Sequence, residues 1–211
     1  MAAIITEKFR MSNAEIFKDQ FAGTDSYYMF LGKSSPFSSL DAPSSSDSSP
    51  PVPADDVASE YYYHDDMLAA KKLTSTDVSF VIPRRNWANQ ATFDMYEHDI
   101  SSSNTTTSSA TNLYNSTFYF VTSEFRVYKV LDNNGGAPMA AGSEPTSESN
   151  TPFESNGYVL KYMYSISAND ADKFLTNDFI PVKTNNAVAG AAVDGSILAI
   201  RVPNAGTGLD R

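Results

Sequence analysis

Between Tyr158 and Ile166 the chain alternates without a break. Tyr158, Leu160, Tyr162, Tyr164 and Ile166 take every second position, with Val159, Lys161, Met163 and Ser165 between them. A repeat of two belongs to an extended strand, so these nine residues define a strand and exclude a helix over the same span. Five large apolar side chains in one row need a covering layer, and the spacing predicts that all five line one side of a sandwich-type core.

Other short runs share this character. Residues 27–31 are aromatic and aliphatic and stop at Gly32, and 78–82 are apolar and stop at Pro83, which cannot donate the next ladder hydrogen bond. Residues 117–122 and 125–131 read as a hairpin joined at Ser123-Glu124 and closed by the Asn-Gly-rich turn at 132–136. Segments 179–182, 187–193 and 196–202 are further strand candidates. Helical signals are fewer. Ser12 and Glu15 form a capping box ahead of an Ala14, Phe17, Phe21 stripe that closes at Gly23. Residues 55–72 read as a second helix, with Asp55 and Asp56 at its start, Lys71 and Lys72 at its end, and Val57, Tyr61, His64 and Leu68 on one face. Asn169 is placed to cap a short helix running through Phe174 and Leu175.

Three polar stretches rich in Ser, Thr, Pro or Gly, at 34–54, 101–112 and 133–156, interrupt these elements. Loops of that length are unusual in a compact domain, and segments ordered by a neighbouring protein are the expected explanation. The 211 residues then read as one β-rich domain enlarged by loops. The expected class is α+β, mainly β: an antiparallel β-sandwich-like core with two or three short helices and long polar loops. No internal repeat is evident.

Composition narrows the chemistry. With 25 acidic residues against 15 basic and a net charge of -10, the chain is unsuited to neutralising nucleic-acid phosphates or an anionic membrane, and basic partner surfaces are expected instead. Zero Cys excludes disulfides, thiolate nucleophiles and iron–sulfur sites. The apolar run at the start is too short for a signal sequence, and no later run reaches the ~18 residues of a membrane span. These features together describe a soluble domain made inside the cell. Only His64 and His98 offer imidazole, each beside acids that point in different directions, so neither reads as a metal ligand. No HExxH, Gly-x-Ser-x-Gly, P-loop or GxGxxG occurs, and Gly206-Thr207-Gly208 is only a turn. Ser is abundant but has no neighbouring His, and Asp55-Asp56 and Asp65-Asp66 read as helix caps and solvated acids rather than glycosidase carboxyls. The triplets at Asn104 and Asn115 read as chance matches to the glycosylation pattern. No catalytic residue, metal or cofactor is expected.

The strongest functional candidate is Pro83-Arg84-Arg85-Asn86-Trp87, which sets two planar cations beside the single Trp of an acidic chain. Arg and Trp are enriched among interface anchors. The competing reading has Trp87 fill a core gap while the two arginines neutralise local acids.

The stretch 81–87, Val-Ile-Pro-Arg-Arg-Asn-Trp, resembles a signature of the small baseplate wedge subunit of T-even-type contractile-tailed phages. In the same order, 30–37 (Phe-Leu-Gly-Lys-Ser-Ser-Pro-Phe), 125–133, 157–164 and 174–182 are similar to further segments of that family. Phe37 and Leu160 stand where the family pattern has Trp. The resemblance runs to about residue 182, so 183–211 read either as the end of a compact version or as the start of a C-terminal extension. It implies a non-enzymatic virion component, made in the host cytoplasm, that dimerises and joins other wedge proteins around the tail hub. Such a subunit holds the pre-attachment baseplate and takes part in the rearrangement that triggers sheath contraction. Phe30, Pro36, Phe37, Arg84, Arg85 and Trp87 are the expected subunit contacts, and replacing both arginines by Ala is expected to leave the fold intact while weakening wedge assembly. A carbohydrate- or receptor-binding β-module using exposed Tyr and Trp is the alternative, and a hydrolase with converging acids is a third.

Overall fold

The computed structural model describes residues 7–52, 64 and 66–200. Among them the protein is mainly β, with antiparallel sheets and three helices, an α+β arrangement. The chain comprises two compact units, Met1–Ser79 and Phe80–Arg211.

The first unit opens with helix α1 (Glu7–Gln20). It begins before the capping box, so Ser12 and Glu15 lie inside it. Glu7, Lys8, Arg10 and Met11 are good helix formers, and the helix extends N-terminally through them. The aromatic stripe is local glue. The Phe17 and Phe21 rings meet edge-on at 5.2 Å between centroids, and Phe21 meets Tyr27 at 4.9 Å, which ties the helix to the start of the next strand.

Strand β1 (Tyr27–Gly32) pairs antiparallel with β2 (Met67–Leu73), Tyr27 opposite Leu73 and Gly32 opposite Met67. The helix expected over 55–72 is therefore wrong for its last turns, and residues 55–63 and 65 fall outside the described residues. Met-Leu-Ala-Ala-Lys-Lys-Leu favours helix by propensity, but the ladder with β1 overrides a preference worth only tenths of a kcal/mol per residue. Lys71, read as a helix-end charge, instead pairs with Asp77 at 2.6 Å. The Ser/Pro-rich stretch that follows β1 is tied down by its own acids. Asp41 accepts from the Ser38 N–H (2.7 Å) and the Lys33 ammonium (2.6 Å), and Asp47 accepts from the Phe37 N–H (2.8 Å). The Lys33 ammonium, followed by the Ser38 N–H, holds the Asp41 carboxyl below the usual carboxylate range.

The second unit is built on a four-stranded antiparallel sheet in the order β4 (Tyr119–Val121), β5 (Arg126–Asp132), β7 (Tyr158–Ser165), β6 (Phe153–Ser155). The hairpin and its closing turn lie where the sequence placed them. A separate antiparallel ribbon joins β3 (Val81–Pro83) to β8 (Phe179–Pro181). A helix α2 (Ala168–Phe174) precedes β8, and α3 (Asn186–Gly190) follows it.

Both faces of the sheet are apolar. Phe120, Tyr128, Val130, Tyr158, Leu160 and Tyr162 join Phe93 and Met139 in one buried cluster, while Tyr119, Val121, Val127, Tyr164 and Ile166 join Ile180 of the ribbon in another. The row at 158–166 is thus divided between two clusters, contrary to the expectation of a single face. The pairing gives the cause. Val127 stands opposite Tyr164 and Tyr128 opposite Tyr162, so Met163 is an extra residue, a β-bulge that turns everything after it to the other side. Tyrosine hydroxyls then staple the ribbon down, Tyr164 donating to Pro181 O at 3.0 Å and Tyr119 to Pro83 O at 2.6 Å. The second layer on that face is a ribbon, rather than another wide sheet.

Three local assignments differ from the sequence reading. Ser167, two residues before Asn169, caps α2 by accepting from the Asp170 N–H. Residues 187–193 begin as helix because the Asn185 side-chain Oδ1 accepts from the Ala187 and Val188 N–H groups, a cap that outweighs the β-branched content. Residues 196–200 form no strand.

Candidate functional site

The Pro83–Trp87 loop lies along the edge of the four-stranded sheet. The Trp87 N–H donates to Val121 O (2.9 Å) and the Val121 N–H to Arg85 O (2.7 Å), forming a short parallel bridge at Asn86. Arg84 is spent on its own chain: its Nε donates to Asn86 Oδ1 (2.8 Å), its Nη1 to Thr176 O (3.0 Å), and its backbone N–H to Asp178 O (2.7 Å). Arg85 reaches the carbonyls of Tyr114 and Asn115, both at 3.4 Å. These partners are backbone carbonyls rather than the acids named in the competing reading. Trp87 packs partly buried against the cluster containing Phe93 and Phe120. Its Nε1, like the Arg85 Nε, is buried with no hydrogen-bond partner among the described residues.

Arg84 thereby ties the loop after β3 to the turn before β8. Arg84→Ala is expected to cost about 1–2 kcal/mol through two lost side-chain hydrogen bonds, read as a lower urea midpoint at unchanged slope. An unchanged midpoint would show that the contacts are dispensable.

Phe30, Pro36 and Phe37 belong to the first unit, while Arg84, Arg85 and Trp87 belong to the second. Phe37 is half-buried with the Lys33 ammonium 5.0 Å from its ring centroid, and Pro36 is exposed. Phe30 sits in the β1–β2 ribbon, whose apolar side chains face outward. Tyr28 is 63%, Met29 53%, Leu31 64% and Leu68 63% exposed, with Phe30 at 38%. Successive strand residues point to opposite sides, so both faces of this ribbon carry exposed apolar groups. Two-stranded ribbons are marginal by themselves, and large apolar patches on a surface mark interaction sites.

The sequence reading passed over Asp94, the polar centre of the second unit. Its carboxylate is 1% exposed and accepts four hydrogen bonds: from the Ser108 N–H (2.8 Å) and Oγ (2.7 Å), the Ser116 Oγ (2.9 Å) and the Thr117 N–H (2.8 Å). Burial alone raises its pKa, but the donated hydrogen bonds, led by Ser108 and Thr117, outweigh it and hold the carboxyl below the usual range. The Ser/Thr stretch after residue 100 is therefore ordered from within. So is much of 133–156, where Asn133 Nδ2 donates to Phe93 O (3.1 Å), Tyr158 hydroxyl to Ala137 O (2.6 Å), and the single Tyr128 hydroxyl proton is shared between Pro145 O (3.1 Å) and Ser147 O (2.9 Å). These loops are hydrogen-bonded to buried residues of their own chain. A hint was present in the sequence, because isolated Tyr, Asp and Asn in apolar runs demand polar partners, and the nearby loops are rich in hydroxyls and carbonyls.

Among the described residues no group of three or more His, Asp or Glu side chains could hold a metal ion, and no helix is long and apolar enough to cross a membrane. The geometry is that of a mainly β chain with its loops bound to its own core and an apolar ribbon turned outward. The family model described as Bacteriophage T4, Gp8 matches residues 3–145, more than half of the chain. The chain belongs to this family of T4-type baseplate wedge proteins, structural components of the phage tail that associate with other baseplate proteins. No curated protein matches the chain.

Proposed function

We propose that this subunit assembles the baseplate wedge around the tail hub and takes part in the rearrangement that triggers sheath contraction, acting as a homodimer without catalytic activity. The observation that carries the assembly role is the β1–β2 ribbon. Its Tyr28, Met29, Leu31 and Leu68 side chains are more than half exposed, an arrangement suited to burial against another protein. Phe30, Pro36 and Phe37 lie on or just after this ribbon and are assigned to the contact surface. Arg84, Arg85 and Trp87 support assembly by holding the second unit's loop in place, with their exposed parts available to a neighbour. Synthesis in the host cytoplasm accompanies this reading.

The test is co-expression with the other baseplate proteins of the same phage. Replacing both Met29 and Leu31 by Asp puts two charges on one ribbon face. The variant is expected to keep the melting temperature of the second unit and to lose co-purification by at least about tenfold, since each desolvated charge opposes association by more than 1 kcal/mol. Undiminished co-purification sinks the proposed role of the ribbon.

A further inference from the structure

Beyond the area covered by the β3–β8 ribbon, the second unit's sheet carries an unusual cross-strand pair. Lys129 of β5 stands directly opposite Lys161 of β7. Like charges in that position oppose sheet formation, and a buried charge without a partner costs more still. Lys161 is only 7% exposed. Among the described residues neither lysine makes an ion pair or a hydrogen bond, and the Lys129 ammonium rests 3.2 Å from the centroid of the Tyr96 ring. Burial, with the Lys161 charge adding to it, lowers the Lys129 pKa below its ordinary value.

Both lysines line a cleft of about 360 Å³, together with Met163, Asn185 and Leu198. Lys183 also lines it but is paired with Asp170 at 2.6 Å. Met163, two residues on from Lys161, shares its face of the strand and packs against the cluster on that side of the sheet. Two unneutralised ammonium groups beside an apolar wall suit a ligand that is anionic at one point and apolar next to it.

We propose that this cleft receives a carboxylate side chain, flanked by an apolar residue, from an acidic segment of a partner protein. The carboxylate bridges Lys129 and Lys161, and the apolar neighbour lies on Met163 and Leu198. A free inorganic anion would leave that wall unused. The pair is also a local exception in a chain with a net charge of -10, so its complementarity is to an acidic partner. That the partner is another baseplate protein rests on the proposed function, whereas the binding chemistry does not.

The experiment uses the full chain with 13C-methyl-labelled methionine, the Met163 signal being assigned through Met163→Leu. Three probes are titrated: the blocked peptide acetyl-Leu-Glu-Leu-amide, its acetyl-Leu-Gln-Leu-amide counterpart, and inorganic phosphate. The expected result is a saturable Met163 shift with the Glu peptide, and binding at least about tenfold weaker for the Gln peptide and for phosphate. K161Q and K129Q are each expected to weaken the Glu peptide by a similar factor. Equal binding of the two peptides, phosphate binding as tightly as the Glu peptide, or no saturable shift overturns the proposal. The comparison of probes on the unaltered chain does not depend on either variant folding. Retained peptide binding with failed co-purification would count against the assembly role alone.

Discussion

Asp94→Ala is expected to destabilise the second unit by about 3–5 kcal/mol, with a fall in melting temperature on the order of 10 °C or more. Ala cannot accept the hydrogen bonds from the Ser108 and Thr117 N–H groups or from the Ser108 and Ser116 hydroxyls. Donors left buried without an acceptor carry their full desolvation penalty, about 1–3 kcal/mol each, less whatever water recovers. The effect has a pH signature. The folded-state pKa of Asp94 lies below its ordinary value, so its ionised form contributes stability above the unfolded carboxyl pKa of about 3.9. That contribution is lost as the pH falls through the folded value. The stability gap between wild type and Asp94→Ala should therefore be full near neutrality and shrink below about pH 4, as followed by thermal unfolding across pH. A gap that stays constant into acid would mean that the carboxylate charge is not the acceptor that matters.

Tyr164→Ala is expected to be as damaging, at about 3–5 kcal/mol. The bulge at Met163 sets Tyr164 on the face opposite Tyr162, where it is 8% exposed, with Ile166 5% exposed in the same cluster. Truncation opens a cavity there and removes the hydroxyl that donates to Pro181 O, loosening the β3–β8 ribbon. Urea unfolding measures the loss, and near-ultraviolet circular dichroism reports the tyrosine environment. Met163→Ala, which keeps the bulge and truncates a half-buried side chain, should cost far less. Equal effects from the two would show that Tyr164 does not anchor the ribbon.

Much of the fold was legible because it is local. Period-two alternation identified β7, the Asp-Asn-Asn-Gly-Gly turn after β5 marked the end of a hairpin, and Gly32 and Pro83 terminate strands at the expected places. The interface candidates were legible only in part. The loop with Arg84, Arg85 and Trp87 exists, but the sequence could not show that both guanidinium groups are aimed at carbonyls of its own chain, about 29 to 92 residues away along the sequence.

The misreadings share a physical origin. Helix propensity across 67–72 amounts to tenths of a kcal/mol per residue, so the pairing partner available in β1 decided the outcome. The polar content of 101–112 and 133–156 suggested loops awaiting a neighbour, because composition reports the number of hydroxyls and not the buried Asp94 or Tyr128 that engages them.

Residue order alone establishes a mainly β chain, its strand–turn boundaries, its lack of thiol chemistry and its likeness to a wedge family, since each of these follows from neighbours along the chain. The division of one alternating row between two cores, the ordering of the long loops and the burial of Lys161 beside Lys129 come from the tertiary structure. Those features depend on which strand lies opposite which. A single bulged residue changes that pairing by one step, and the pleat converts the step into a change of face.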